Sequence, residues 1–163
     1  MTIKDDRYET ILFCAAFCSA SRYAFSVAVD TAAHHGARLI ILHIIEPRHR
    51  YSGILMTEDG DIYMTDGVIE KFKCKLNNFY LSNFDKRSPC KIDFIVDGGI
   101  PWVEILRVAR QEKVDHIIMG CPGAEKKGGH ARKTKTFSGE NAQLVSSKAA
   151  CTVSVVTEGA HAL

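Results

Sequence analysis

An excess of either sign of charge is nearly missing from this 163-residue chain: 21 Lys and Arg stand against 19 Asp and Glu, a formal net charge of +2. No global field draws it toward nucleic acid, so any affinity for an anion has to come from local clustering. Long hydrophobic runs are missing too. The longest, "LIILHII", is interrupted by His43 and has the length of a strand, far short of the roughly 20 apolar residues of a membrane-spanning helix. The opening "MTIKDDRYET" has no apolar core of the kind a secretion signal carries, so a cytoplasmic location is expected. There is no Cys-x-x-Cys pair, and in a reducing compartment the six cysteines are expected as thiols. Cys14, Cys18 and Cys121 would resemble three soft metal ligands if their loops met at one sheet edge; small buried residues is the role expected of them. "EDGD" (Glu58 to Asp61) lacks the calcium-loop pattern and is expected as a solvated acidic turn. Internal repeats and low-complexity tracts are absent as well.

What is present alternates. "TILFCAA" (Thr10 to Ala16) and "ARLIILHII" (Ala37 to Ile45) are nearly continuous apolar runs, expected as strands buried on both faces. Between them "SASRYAFSVAVDTAAHHG" offers Ser19 or Ser21 as helix N-cap, small and apolar residues at helical spacing, and Gly36 as the residue that ends the helix. His34 and His35 close it, where an imidazolium faces the negative dipole end, so capping is expected rather than metal binding. From Pro47 to Gly67 periodicity is lost, and a long excursion without regular structure is expected, too short to be a second domain. Val68, Ile69, Phe72, Leu76, Phe79 and Tyr80 mark the apolar face of a helix reaching about Phe84. "KIDFIVD" is the third strand, and "GGIPWVEILRVARQEK" a helix with Pro101 in its first turn and Trp102 at the core or its rim. "VDHIIMG" is the fourth strand, "GENAQLVSSKAA" a short helix and "CTVSVV" (Cys151 to Val156) the fifth strand.

Five strands alternating with four helices imply one α/β domain over residues 1–163. The expected form is an open, mostly parallel sheet, doubly wound with helices on both faces, because every parallel return requires a crossover. In such sheets ligands collect beyond the carboxyl ends of the strands, where helix N-termini present free N–H groups. "MGCPGAEKKGGHARKTKTFSGENAQ" (Met119 to Gln143) lies at that edge. It is neither a Walker cradle, since Gly123-x4-Gly128 is followed by Gly129 and His130, nor a Gly-x-Gly-x-x-Gly turn.

"ILFCAAFCSAS", "LIILHIIEP", "GGIPWVEILRVARQEKVDHIIMGCPG" and "SGENAQLVSSKAACTVSVV", in that order, resemble the universal stress protein family over nearly all of the chain outside Pro47 to about Lys91. The resemblance implies the strand order 3-2-1-4-5, a homodimer through the last strand and, in one branch of the family, an adenine nucleotide (ATP or AMP) at the carboxyl edge. That branch carries Gly-x2-Gly-x9-Gly followed by Ser or Thr. Gly120, Gly123 and Gly139 match its glycines, but the last gap holds fifteen residues and Glu140 stands where the hydroxyl belongs. By the same resemblance Met119 and Ile44 line the adenine pocket, Cys14 replaces a proline, Ala16 replaces the aspartate that holds the ribose, and Asn141 follows Glu140 at the helix start. Gly98, Gly99 and Ile100 would border the cleft, and His43 would sit beside the adenine position as a packed, hydrogen-bonded strand residue.

Two polar contacts are therefore lost, and the Glu140 carboxylate would either repel phosphate or occupy the anion-favouring helix terminus itself. Lys126, Lys127, Arg132, Lys133 and Lys135 around His130 are expected as a solvated basic loop, with two alternatives: a lid that neutralises phosphates, Glu140 then reaching them through Mg²⁺, or a contact with an acidic partner or nucleic acid. Cys18 and Ser19 precede a helix, but the sequence sets no base beside them. The expectation is nucleotide binding without dedicated turnover, the alternative a dimeric interaction protein of the same fold that has lost the site; neither membrane nor nucleic acid is an expected partner.

Overall fold

Strands β1 (Thr10–Cys14) and β2 (Arg38–Ile45) are buried along almost their whole length, as strands enclosed by helices on both sides must be. The computed structural model describes residues 7–47, 49–51, 54–57, 60–82, 84, 90–121 and 139–157. With β6 (Ile92–Gly98), β7 (His116–Cys121) and β8 (Thr152–Thr157), β1 and β2 form a five-stranded sheet in the order β6-β2-β1-β7-β8, parallel at every pairing. Counted along the chain within this sheet, the order is 3-2-1-4-5.

The strand period of two splits the core into two layers. Ile11, Phe13, Leu39 and Ile41 point to one face, against α1 (Ser19–His35) and α2 (Asp66–Leu76). Leu12, Cys14, Ile40, Leu42 and Ile44 point to the other, against α3 (Pro101–Gln111) and α4 (Gly139–Lys148). No helix among the described residues is long and apolar enough to cross a membrane.

Helix α1 ends on Gly36 at φ 64°, a left-handed conformation cheap only for glycine, and the Gly36 N–H reaches the Ala32 and Ala33 carbonyls. Its start differs from expectation: Cys18 is the N-cap, without a side-chain hydrogen bond, and Ser21 lies inside the first turn. The segment expected to lack regular structure contains β3 (His49–Tyr51), β4 (Ile54–Thr57) and β5 (Gly60–Tyr63), paired antiparallel as a second sheet. Tyr51 pairs with Ile54 and Thr57 with Gly60, so each connection is two residues long. The two connecting dipeptides are Ser52-Gly53 and Glu58-Asp59, and strands of three and four residues are too short to show alternation.

The helix expected to run to about Phe84 ends as an α-helix at Leu76 and continues as a π-turn over Asn77–Leu81. Leu76 and Tyr80, four residues apart and so on one face, are both buried in the core. Thr65 caps the start of α2, its hydroxyl accepting the Val68 N–H at 3.4 Å.

Candidate functional site

At the carboxyl edge of the sheet, β1 and β7 end side by side with Cys14 opposite Met119, while β2 carries Ile44 on the other flank of β1. Cys14, Ala16, Ile44 and Met119 all belong to the buried cluster beneath α3 and α4. Four of the sequence-expected positions are thus brought onto one face of the sheet around the ends of its central strands. Helix α4 starts beside them. A Cβ on Gly139 would lie 3.8 Å from Cys121 Sγ, an ordinary contact, so the helix N-terminus stands directly at the end of β7.

Asn141 is only 8% exposed, and its side chain has no hydrogen-bond partner among the described residues. The amide atoms themselves still reach solvent: among the described residues His116 Nδ1 is the one fully buried side-chain polar atom without a partner. Glu140, its neighbour in the first turn, is exposed. Among the described residues its carboxylate makes no hydrogen bond or ion pair, so it does not cap the helix start from within the described chain. Gly123 and the basic residues Lys126, Lys127, Arg132, Lys133 and Lys135 with His130 lie outside the described residues.

Gly120 is explained by packing. A Cβ there would come within 2.8 Å of the Ala20 carbonyl oxygen and 3.0 Å of Ser21 Cα, both backbone atoms of α1. The glycine therefore lets the first turn of α1 lie directly on the end of β7, whatever else its N–H does.

The turn between β1 and α1 is held by a closed polar circuit. The Ala16 N–H donates to Ser21 Oγ at 3.0 Å, Ser21 Oγ lies 2.6 Å from the Tyr80 hydroxyl, and that hydroxyl donates to the Ala16 carbonyl. One residue earlier, the Ala15 N–H donates to the Leu42 carbonyl at 2.7 Å, and His43 Nδ1 lies 3.0 Å from the Ala15 carbonyl. The carbonyl can only accept, so Nδ1 carries the proton. All four backbone polar groups of Ala15 and Ala16 are thereby satisfied. Sequence reasoning misses Ser21 and Tyr80 as a pair: one reads as a helix cap and the other as part of an apolar face. A phenol on an otherwise apolar stripe is the available signal.

His43 lies on the α1 and α2 side, stacked on Phe72 with ring centroids 5.5 Å apart and edge-on to Phe17 at 4.9 Å. Burial is the main cause that holds its pKa below the ordinary value, with the Lys75 ammonium adding to it and the Ala15 carbonyl opposing it. Burial likewise pushes the Cys14 thiol far upward, so it is a neutral core group and no nucleophile. Among the described residues no group of three or more metal-ligating side chains comes together. At the rim, Arg107 of α3 binds Glu104 at 2.6 Å and also Asp97 at the end of β6, while Asp97 accepts the Gly98 N–H at 2.7 Å. Ile100, at the start of α3, is 59% exposed beside this edge.

The profile of the universal stress protein family matches residues 7–157. A universal stress protein of Thermus aquaticus is 28% identical over 149 residues, 91% of this chain and 98% of that protein. Among solved structures, the universal stress protein of Archaeoglobus fulgidus in complex with dAMP aligns with a TM-score of 0.58 at 12% identity, over 91% of this chain and 98% of that one. A universal stress protein in complex with cAMP aligns with a TM-score of 0.59 at 16% identity, over 93% and 98%. Likeness at these identities establishes the fold.

Proposed function

The chain belongs to the universal stress protein family, and from that premise we propose that its crevice at the carboxyl ends of β1 and β7 binds an adenine nucleotide, ATP or AMP, as a regulatory ligand without dedicated turnover. The observation that supports this reading is the start of α4 beside the ends of the central strands, where a Cβ on Gly139 would lie 3.8 Å from Cys121 Sγ and Cys14, Ala16, Ile44 and Met119 share one buried cluster. A helix N-terminus favours phosphate through its free N–H groups and its dipole. Ile44 and Met119 supply apolar flanks for a base, in the cluster that also holds Cys14 and Ala16. Two relatives of the same fold were solved with cAMP and with dAMP. Gly120, Gly123 and Gly139 would approach the phosphates, and Glu140, being exposed, is free to turn toward a Mg²⁺ held by them.

The test is calorimetric titration of the full chain with ATP, ADP and AMP, each with and without Mg²⁺, beside mass spectrometry of whatever co-purifies with the folded protein. Saturable heat with an adenine nucleotide is expected, and Asn141→Ala is expected to weaken it about tenfold or more. No heat with any of the three overturns the reading.

A second reading has its own support. Ala16 carries a methyl group where the family resemblance implies a carboxylate, and its backbone groups are already bonded to Ser21 and Tyr80. In that reading the crevice has lost its ligand and a homodimer through β8 is the output. β8 pairs with β7 on one side only among the described strands, and Val155 on it is 40% exposed. Ala16→Asp distinguishes the two: restored nucleotide affinity in an otherwise silent protein supports loss of one contact in an intact crevice. Light scattering that shows a monomer, or a dimer indifferent to Val155→Lys, removes the β8 interface.

A further inference from the structure

At the opposite edge of the sheet, where β7 and β8 begin, the last turns of α3 and α4 and the connections after them enclose a hollow of about 190 Å³. Taking about 30 Å³ for each water of liquid, it has room for roughly six. Leu106, Ala109 and Val114 give it an apolar floor, and Arg110, Lys113 and Lys148 surround it. No carboxylate belongs to its lining. The acids of the same connections are engaged elsewhere: Glu112 Oε2 binds Arg38 Nη1 at 2.8 Å, and Asp115 Oδ2 accepts the Glu9 and Thr10 N–H groups at 2.8 and 3.0 Å. Among the described residues none of the three cations has an acidic partner; Lys148 Nζ lies 5.7 Å from the Trp102 ring centroid.

Lys113 is unusual in its backbone as well. It is the one non-glycine residue with positive φ among those described, at 53°. Helix α3 closes there with Val114 N–H on the Ala109 carbonyl at 2.9 Å and Lys113 N–H on the Arg110 carbonyl at 3.4 Å, the geometry that ends α1 on Gly36. A glycine would hold this turn without the Cβ penalty, and a strained conformation persists where the side chain has a use. That use is not ion pairing within the described chain.

Two helix C-termini border the hollow, and each brings about half a negative charge. Together they oppose an anion by about one unit, which three cations exceed. Cys151 completes the wall, and burial, aided by Asp115, pushes its thiol pKa up, so it adds no competing charge at neutral pH. We propose that this hollow is a binding site for a compact organic dianion, a short carbon skeleton bearing a phosphate monoester, with the charge among Arg110, Lys113 and Lys148 and the carbons on Leu106, Ala109 and Val114. The site does not depend on the nucleotide crevice, which lies at the far end of β7.

The test is a heteronuclear NMR titration of the ¹⁵N-labelled full chain with glycerol 3-phosphate and, separately, inorganic phosphate. Saturable shifts are expected at the amides of Lys113, Val114 and Ala149 to Cys151, with the ester binding more tightly than the free ion. Lys113→Gly suits the left-handed turn, so the melting temperature should hold or rise while affinity falls about tenfold or more. Arg110→Gln should weaken binding similarly. The proposal is overturned if neither probe gives saturable shifts, if both variants bind as the parent does, or if inorganic phosphate binds as tightly as the ester. It is overturned equally by shifts confined to Gly120, Gly139 and Asn141, which place the anion in the crevice. Shifts at the basic hollow produced by a short single-stranded DNA but by neither small anion would replace the proposal with a nucleic-acid contact.

Discussion

Tyr80 donates its phenolic hydrogen to the carbonyl of Ala16, 64 positions earlier in the chain. The same hydroxyl lies 2.6 Å from Ser21 Oγ, so a single atom on the π-turn after α2 fixes the turn that leads from β1 into α1. The circuit stands just beyond the end of β1 and holds Ala16 where the family resemblance sets a ribose contact.

Tyr80→Phe keeps the ring and removes the hydroxyl, leaving the Ala16 carbonyl and the Ser21 hydroxyl buried without that partner. The expected loss is about 1–3 kcal/mol of stability, read as a lower urea midpoint at unchanged slope. An unaltered midpoint would show that water replaces the phenol.

Gly120→Ala places a methyl carbon 2.8 Å from a backbone oxygen of α1, and no flexible side-chain tip can move aside for it. Helix α1 or β7 has to shift, at a cost of about 1–3 kcal/mol. Thermal denaturation checks this in the absence of any ligand, and so separates packing from binding.

Acid should destabilise the fold through His43 and His116. Burial is the leading cause that lowers both pKa values in the folded state, with His35 adding to the effect at His116. The unfolded chain therefore binds more protons than the native one just below the ordinary histidine value of 6.5, and stability rises with pH there. The contribution is full above about pH 6.5 and is lost as pH falls through and below it. Denaturation at pH 7.5 and pH 5.5 should show the difference, and His43→Gln should reduce it. A pH-independent midpoint over that interval would contradict the assignment of neutral, buried imidazoles.

Thiol-directed labelling should follow burial. Cys74 is exposed on α2 and should react first, whereas Cys14 is buried and should react only on unfolding. Rapid native labelling of Cys14 would mean that the β1 layer opens far more readily than its packing implies.

Much of the fold can be read from local chemistry. Two-faced apolar runs such as "LIILHII" specify strands within a helix-covered sheet, and Gly36 specifies the end of α1 because only glycine takes φ 64° without penalty. The β3-β4-β5 sheet escapes such a reading because strands of three and four residues carry too little periodicity to outweigh their turn residues. Among the site residues, the shared face of Cys14, Ala16, Ile44 and Met119 comes from strand parity plus the strand order that the resemblance implies. The role of Gly120 does not, since a glycine in a Gly-x2-Gly frame has the same letters whether a phosphate or a helix backbone approaches it.

The sequence by itself determined the alternation of strands and helices, the family, and which side chains are apolar enough to be enclosed, because periodicity and turn propensity are local properties. It took the folded chain to bring Ser21 and Tyr80 together over Ala16 and to leave Glu140 exposed beside a mostly buried Asn141. Folding also decided that three cations without an acidic partner among the described residues gather at the far edge. Those relations join residues distant along the chain, and their energies depend on burial and on which partners are already taken. Neither quantity exists until the sheet has closed its two layers.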